Sequence, residues 1–246
     1  MVLVSQAAGL ALAVGLALVR AESFPSSQDL RWSLLAGLLG GIGVTALYRG
    51  LAVGRMGIVA PITGILSAVI PVVGGVVLQG VPPPLVVFGI GLALVAVFLV
   101  SRVADEGGGR AGLREALIAG AAIGSFGVIV SQLTEGHVFG PLTVIRATQV
   151  VLVLAITIVS RSAWRPERRL VPVLAVIGLV DMAGNSLYVL AVQAGALAVA
   201  SVLSSLYPVV TVILAAVVLR ERITRDHWAG IVLAAVAIAC IGAGSA

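Results

Sequence analysis

The stretch LAVIGLVDMAGNSLYVLAVQAGALAVASVLSSLYPVV, Leu174 to Val210, decides the fold. It covers most of two apolar runs, Val171–Val192 and Leu197–Leu219. Each is long enough to cross the roughly 30 Å hydrocarbon core of a bilayer as a helix. Asp181 lies about eleven residues from either end of the first run, close to mid-bilayer. Asn185 and Tyr188 follow at i+4 and i+7, on the same helical face. A carboxylate at that depth costs about 2.5–3.5 kcal/mol to insert, so it must face a cavity or a partner rather than lipid. The second run carries Ser201, Ser204, Ser205 and Pro208, which supply hydroxyls and a break in backbone hydrogen bonding. Together the two runs have the makings of a midplane binding site.

Composition carries the same message across all 246 residues. Sixty per cent are hydrophobic, 10% are charged, and the mean hydropathy is +1.20. Soluble domains are about 25% charged, so that class is excluded. The net charge of +5 comes from fifteen arginines with no lysine. They sit in short loops between apolar runs, which makes them topology signals, and no nucleic-acid partner is expected. The single cysteine, Cys240, lies inside the last apolar run, so no disulfide or metal cluster is expected, and no cofactor. Met1 opens directly on an apolar run with no basic leader, so no cleavable signal is evident. The fold class is all-α: a polytopic helical membrane protein whose partners are the lipid bilayer and a small-molecule substrate.

Nine apolar runs are long enough to span: Val2–Val19, Trp32–Leu51, Ile58–Leu78, Leu85–Val100, Leu113–Leu133, Leu142–Val159, Val171–Val192, Leu197–Leu219 and Trp228–Gly244. Gly37-x-x-x-Gly41 and Gly120-x-x-x-Gly124 have the spacing that lets helix backbones approach closely. The loops after runs two, four, six and eight hold twelve arginines, from Arg49 to Arg225. The opposite side has only Arg20 and Arg31, and Arg146 lies within a run. By the positive-inside rule the twelve-arginine face is cytoplasmic, which puts the N-terminus inside and the C-terminus outside.

An internal repeat organises these runs. Leu47-Tyr48 matches Leu187-Tyr188 at an offset of 140. Leu66-Ser67 and Pro71-Val72-Val73 match Leu203-Ser204 and Pro208-Val209-Val210 at an offset of 137. Runs two and seven are therefore equivalent. They are five apart, an odd number, so the halves have opposite membrane orientation, as in many secondary transporters. The first repeat occupies residues 1–104 with four helices, a linker 105–112 follows, and the second repeat fills 113–246 with five. The counterpart of run five would precede Met1, so the chain is expected to lack its first helix.

The most specific segment is Ser204-Ser205-Leu206-Tyr207-Pro208-Val209-Val210, followed by Leu219-Arg220-Glu221-Arg222-Ile223-Thr224 and a last helix from Trp228. It resembles the drug/metabolite transporter superfamily, specifically bacterial proteins with two EamA domains, and Glu221 and Arg222 match that family's turn. The first-half counterpart, Pro71-Val72-Val73 leading to Gln79-Gly80-Val81-Pro82, keeps the proline without the charged turn. The resemblance implies ten helices in two inverted halves, and export or exchange of small metabolites across the cytoplasmic membrane. Two features depart from it: nine runs instead of ten, and a C-terminus placed outside by the arginine bias.

Asp181 is the foremost candidate for substrate recognition or proton coupling. The competing reading pairs it with Arg146, one turn into run six, as an ionic lock between helices. Gln149 follows Arg146 at i+3 and shares its surroundings. Asn185, Tyr188 and the first-half positions Thr45 and Tyr48 are expected to line a central cavity; the plainer alternative is interhelical hydrogen bonding. Pro61, Pro71 and Pro208 could kink helices that rock during transport, or simply fix static bends. Glu135 and His137 lie in a loop on the arginine-poor side, where a gating role competes with plain solvation.

The function expected is secondary transport of a small polar or amphipathic, amino-acid-like metabolite by alternating access. Without lysine no G-x-x-x-x-G-K-[ST] motif is possible, so the driving force is an ion or substrate gradient, with H+ the ion that Asp181 could carry. An intramembrane enzyme is disfavoured: His137 and His227 lie near membrane ends, and neither H-E-x-x-H nor G-x-S-x-G occurs. A non-transporting scaffold of the same fold is the remaining alternative.

Overall fold

The computed structural model describes residues 2–54, 56–101, 111–159, 168–218, 220 and 224–244. These form α1 (Val2–Val19), α2 (Ser27–Val53), α3 (Met56–Gln79), α4 (Pro84–Ser101), α5 (Leu113–Val130), α6 (Phe139–Val159), α7 (Val171–Gln193), α8 (Leu197–Ser205), α9 (Tyr207–Val218) and α10 (Arg225–Gly244). Among the described residues, eight helical segments are long and apolar enough to cross a membrane, with α8 and α9 together counted as one. The 18-residue α1 sits at the lower limit of spanning length. The nine predicted runs thus all become helices.

Boundaries moved where polar caps extend an apolar run. α2 starts at Ser27 rather than Trp32 because Ser26 and Asp29 form a reciprocal cap. The Asp29 N–H donates to Ser26 Oγ at 3.1 Å, and that hydroxyl donates to Asp29 Oδ2 at 2.9 Å. α5 stops at Val130 in tight turns, the Gln132 and Leu133 N–H groups bonding to Ile129 and Val130. The eighth run is broken at Leu206. Pro208 cannot donate a backbone bond, and Leu206 and Val209 instead close short turns onto Leu203 and Leu206. α3, in contrast, carries Pro61 and Pro71 within one unbroken helix.

The helices gather into two compact units, each drawing on both sequence halves. One holds residues 1–42 and 129–195, the other 43–128 and 196–246. In the first, α1 packs on α6 and α7. A Cβ on Gly178 of α7 would collide with the Ser5 main chain, and one on Gly9 would stand 3.1 Å from the Gly178 carbonyl. Glycine is therefore required where α1 and α7 cross. Gly37 and Gly41 play the same part for α2 against Thr148 and Leu152 of α6.

In the second unit α4 lies along α10, and α3 packs on α8. Val86, Ile90, Val97 and Val100 of α4 meet Val202 and Val209 of the α8–α9 span and Ala234, Ala237 and Ile241 of α10. Gly120 and Gly124 of α5 bring it against Leu66 and Ile70 of α3. Both small-residue motifs seen in the sequence therefore work as contact points between helices. Water-driven apolar burial offers no net gain between helices in lipid, so such close packing is what holds these contacts together.

Candidate functional site

The candidate site lies in the first unit and starts from the helical period of α6. Leu142, Ile145, Arg146 and Gln149 are buried, at i, i+3, i+4 and i+7, so one stripe carries both apolar bulk and two polar side chains. On α7 the buried stripe is Gly178, Met182, Ser186 and Val189. Asp181 precedes Met182 by one residue, about 100° round the helix. It therefore emerges at the edge of the α1–α7 contact instead of within it.

Arg146 Nη2 stands 2.6 Å from Asp181 Oδ2. The contact is short but off the line a hydrogen bond needs, which makes it an ion pair without a charge-assisted hydrogen bond. Nη1 donates to Gln6 Oε1 at 2.6 Å and reaches Gln149 Oε1 at 3.4 Å. Asn185 Nδ2 donates to the Asp181 carbonyl at 2.8 Å and lies 3.4 Å from its Oδ1. The pair is unequal: the Arg146 side chain is 4% exposed and that of Asp181 is 52% exposed. Neutralising each other, the two charges lower the insertion cost either would bear alone.

Arg146, Gln149, Asp181 and Asn185 are thus brought together. Tyr188 lies one turn beyond Asn185 and is half-buried. The sequence reading overlooked Gln6, although the repeat points to it: Gln6 is the 140-offset equivalent of Arg146, and the two are bonded. Thr45 and Tyr48 belong to the second unit, and Tyr48 is well exposed. Ser204 is exposed, and Ser205 is buried with its hydroxyl donating to Val202 within its own helix at 2.7 Å. Pro208 follows the break at Leu206 and opens α9. Glu221 and Arg222 lie outside the described residues.

A second polar cluster, also missed from sequence, holds the loop 131–138 on the arginine-poor side of the same unit. α1 ends with Ala21 in the left-handed region (φ 50°) while the Glu22 N–H bonds back to the Ala17 carbonyl. That turn aims the Glu22 carboxylate at the start of α6, where Oε2 accepts the Phe139 and Gly140 N–H groups, each at 2.8 Å. Asp29, almost fully buried, accepts the Thr134 N–H at 2.9 Å and its hydroxyl at 3.1 Å. Gln193, the last residue of α7, donates to the carbonyls of Thr134 at 3.2 Å and His137 at 3.0 Å and accepts the Gly136 N–H at 3.3 Å. His137 is half-buried with Nε2 3.4 Å from Ser23 Oγ, while Glu135 is exposed to solvent. The acids of this loop region were legible only as charges; their targets are backbone N–H groups, which leave no trace in composition.

Among the described residues no group of three or more His, Cys, Asp or Glu side chains could hold a metal. What the arrangement offers chemically is a fixed cation, an adjoining acid with access to its surroundings, and amides that orient both.

One solved crystal structure matches 97% of this chain and 85% of its own with a TM-score of 0.76, at 17% identity, a likeness of fold. No curated protein sequence matches significantly. The model of the EamA-like transporter family matches residues 111–243, just over half of the chain. The chain is thus a multi-pass membrane transporter of the drug/metabolite type and belongs to the EamA-like transporter family.

Proposed function

We propose that this protein is a secondary transporter that carries a small zwitterionic, amino-acid-like metabolite across the cytoplasmic membrane by alternating access, with Asp181 as its proton-coupling group. The observation that carries the reading is the unequal ion pair: Arg146 locked at 4% exposure against Asp181 at 52%. A substrate carboxylate can compete with Asp181 for the guanidinium, and a substrate ammonium can pair with the freed acid. Protonation of Asp181 weakens its hold on Arg146, so proton uptake and carboxylate binding favour the same rearrangement. Arg146 keeps its other partners, Gln6 and Gln149, and so stays in place while the anion changes.

The test is flux in proteoliposomes with an imposed proton gradient and a panel of labelled amino acids. Asp181→Asn should fold and lose gradient-driven accumulation by at least about tenfold, the size expected for losing one coupling contact. Normal coupled flux in that variant would overturn the proton role. The structural alternative also has an observation in its favour, the burial of Arg146 among three polar partners. The swap Arg146→Asp with Asp181→Arg separates the two: a lock regains stability and transport together, whereas a recognition site regains stability alone.

A further inference from the structure

A groove of about 580 Å³ runs beside the first two turns of α2, lined by Ser27, Gln28, Arg31, Trp32 and Leu35. It is remote in sequence from the Arg146–Asp181 network and has no part in the transport reading. Its volume is within the range of small-ligand sites, about 300–1,000 Å³. Its chemistry is graded along the helix. Ser27 and Gln28 offer a hydroxyl and an amide in the first turn, and Arg31 adds a cation about 6 Å along the axis from Ser27. Arg31 is exposed and has no ion pair or hydrogen bond among the described residues. An indole follows at Trp32, a residue type concentrated at the headgroup level of bilayers.

Below these, Leu35, Leu38 and Ile42 continue the line from Arg31 at i+4, i+7 and i+11, and all three are exposed. A water-borne anion would have no use for such a ridge. An amphiphile would: its phosphate on Arg31, its polar head against Ser27 and Gln28, and an acyl chain along Leu35, Leu38 and Ile42. We propose that this groove is a binding site for an anionic glycerophospholipid of the surrounding bilayer.

The site can be read through its own tryptophan. In the full chain with Trp164→Phe and Trp228→Phe, Trp32 is the one remaining indole. The protein is placed in phosphatidylcholine vesicles containing a minor share of either brominated phosphatidylglycerol or brominated phosphatidylcholine, and quenching of Trp32 is recorded. One arginine at an anionic lipid surface corresponds to about a fivefold preference for the charged lipid. The expected result is that preference in the parent, its loss in Arg31→Gln, and its retention in Arg31→Lys. Equal quenching by both lipids, or a preference that survives Arg31→Gln, overturns the proposal. Relief of quenching by soluble glycerol 3-phosphate assigns the groove to a free phosphate ligand and overturns it as well.

Discussion

At the residue scale the ion pair shows how much a buried charge depends on its neighbours. Asp181→Asn leaves the Arg146 guanidinium buried with amide partners alone. Breaking a fully buried pair by removing one partner costs about 3–5 kcal/mol, and the loss here is smaller because Gln6 and Gln149 still accept from the guanidinium. Removing both charges, with Arg146→Met and Asp181→Asn together, should recover most of that loss, since an apolar replacement for a buried pair is close to neutral. Thermal unfolding in detergent of the singles and the double completes the cycle. If the double is as unstable as the sum of the singles, the two side chains are not coupled. Ala21 makes a second case, because a Cβ in the left-handed region is strained by about 1–2 kcal/mol. Ala21→Gly removes that strain at the expense of a more flexible unfolded chain, so a net gain of about 0.5 kcal/mol is expected in the same assay. A lower midpoint would mean that the turn after α1 is not the strained element it looks to be.

Helices end where their terminal N–H and C=O groups find partners, and here those partners come from other helices. Glu22, just past α1, caps the N-terminus of α6, and Gln79, the last residue of α3, accepts the Leu197 N–H at the start of α8 at 3.2 Å. In both cases a side chain at the end of one helix caps the helix that the sequence offset pairs with it. Glu22 adds charge to geometry, since a carboxylate at a helix N-terminus also meets the positive end of the dipole. Glu22→Ala should therefore cost about 1–2 kcal/mol and open amide exchange at Phe139 and Gly140, while Glu22→Gln, keeping an acceptor, loses less. Unchanged protection of those two amides would remove Glu22 from the cap. This also explains what the sequence could and could not yield. Apolar length found all nine segments, whereas the starts of α2 and α6 lay three to five residues outside the apolar runs because Asp29 and Glu22 extend them. The Ser26–Asp29 cap went unread although its partners are three residues apart, and the Glu22 cap leaves no local signal because its target lies more than a hundred residues away.

For the whole molecule, pseudo-symmetry and its breaking belong to the same description. The polar set Arg146, Gln149, Asp181 and Asn185 comes entirely from the second half, and its 140-offset equivalents are Gln6, Gly9, Gly41 and Thr45. Gly41 stands at the position equivalent to Asp181 and Gln6 at that of Arg146, and Gly9 leaves room beside the Arg146 guanidinium, whose Cζ would stand 3.8 Å from a Cβ there. The repeat and the Asp181–Arg146 choice were legible because tyrosine, proline and charge are rare in such a chain. Gln6 went unseen because a lone glutamine in an apolar helix carries no pattern until the repeat is applied to it. The same rarity of charge governs orientation. In the sequence, twelve arginines fall at or between the ends of the apolar runs on one side, against Arg20 and Arg31 with Glu22, Asp29 and Glu135 on the other. If all nine apolar segments cross, the two ends of the given sequence lie on opposite faces, and the positive-inside rule predicts that the richer face is cytoplasmic. Alkaline phosphatase fused after Ala246 should then be active in cells, and green fluorescent protein at the same point should stay dark. A fluorescent, phosphatase-inactive pair would reverse the assignment. It would also move the loop clamped by Glu22, Asp29 and Gln193, together with the Arg31 groove, to the cytoplasmic leaflet.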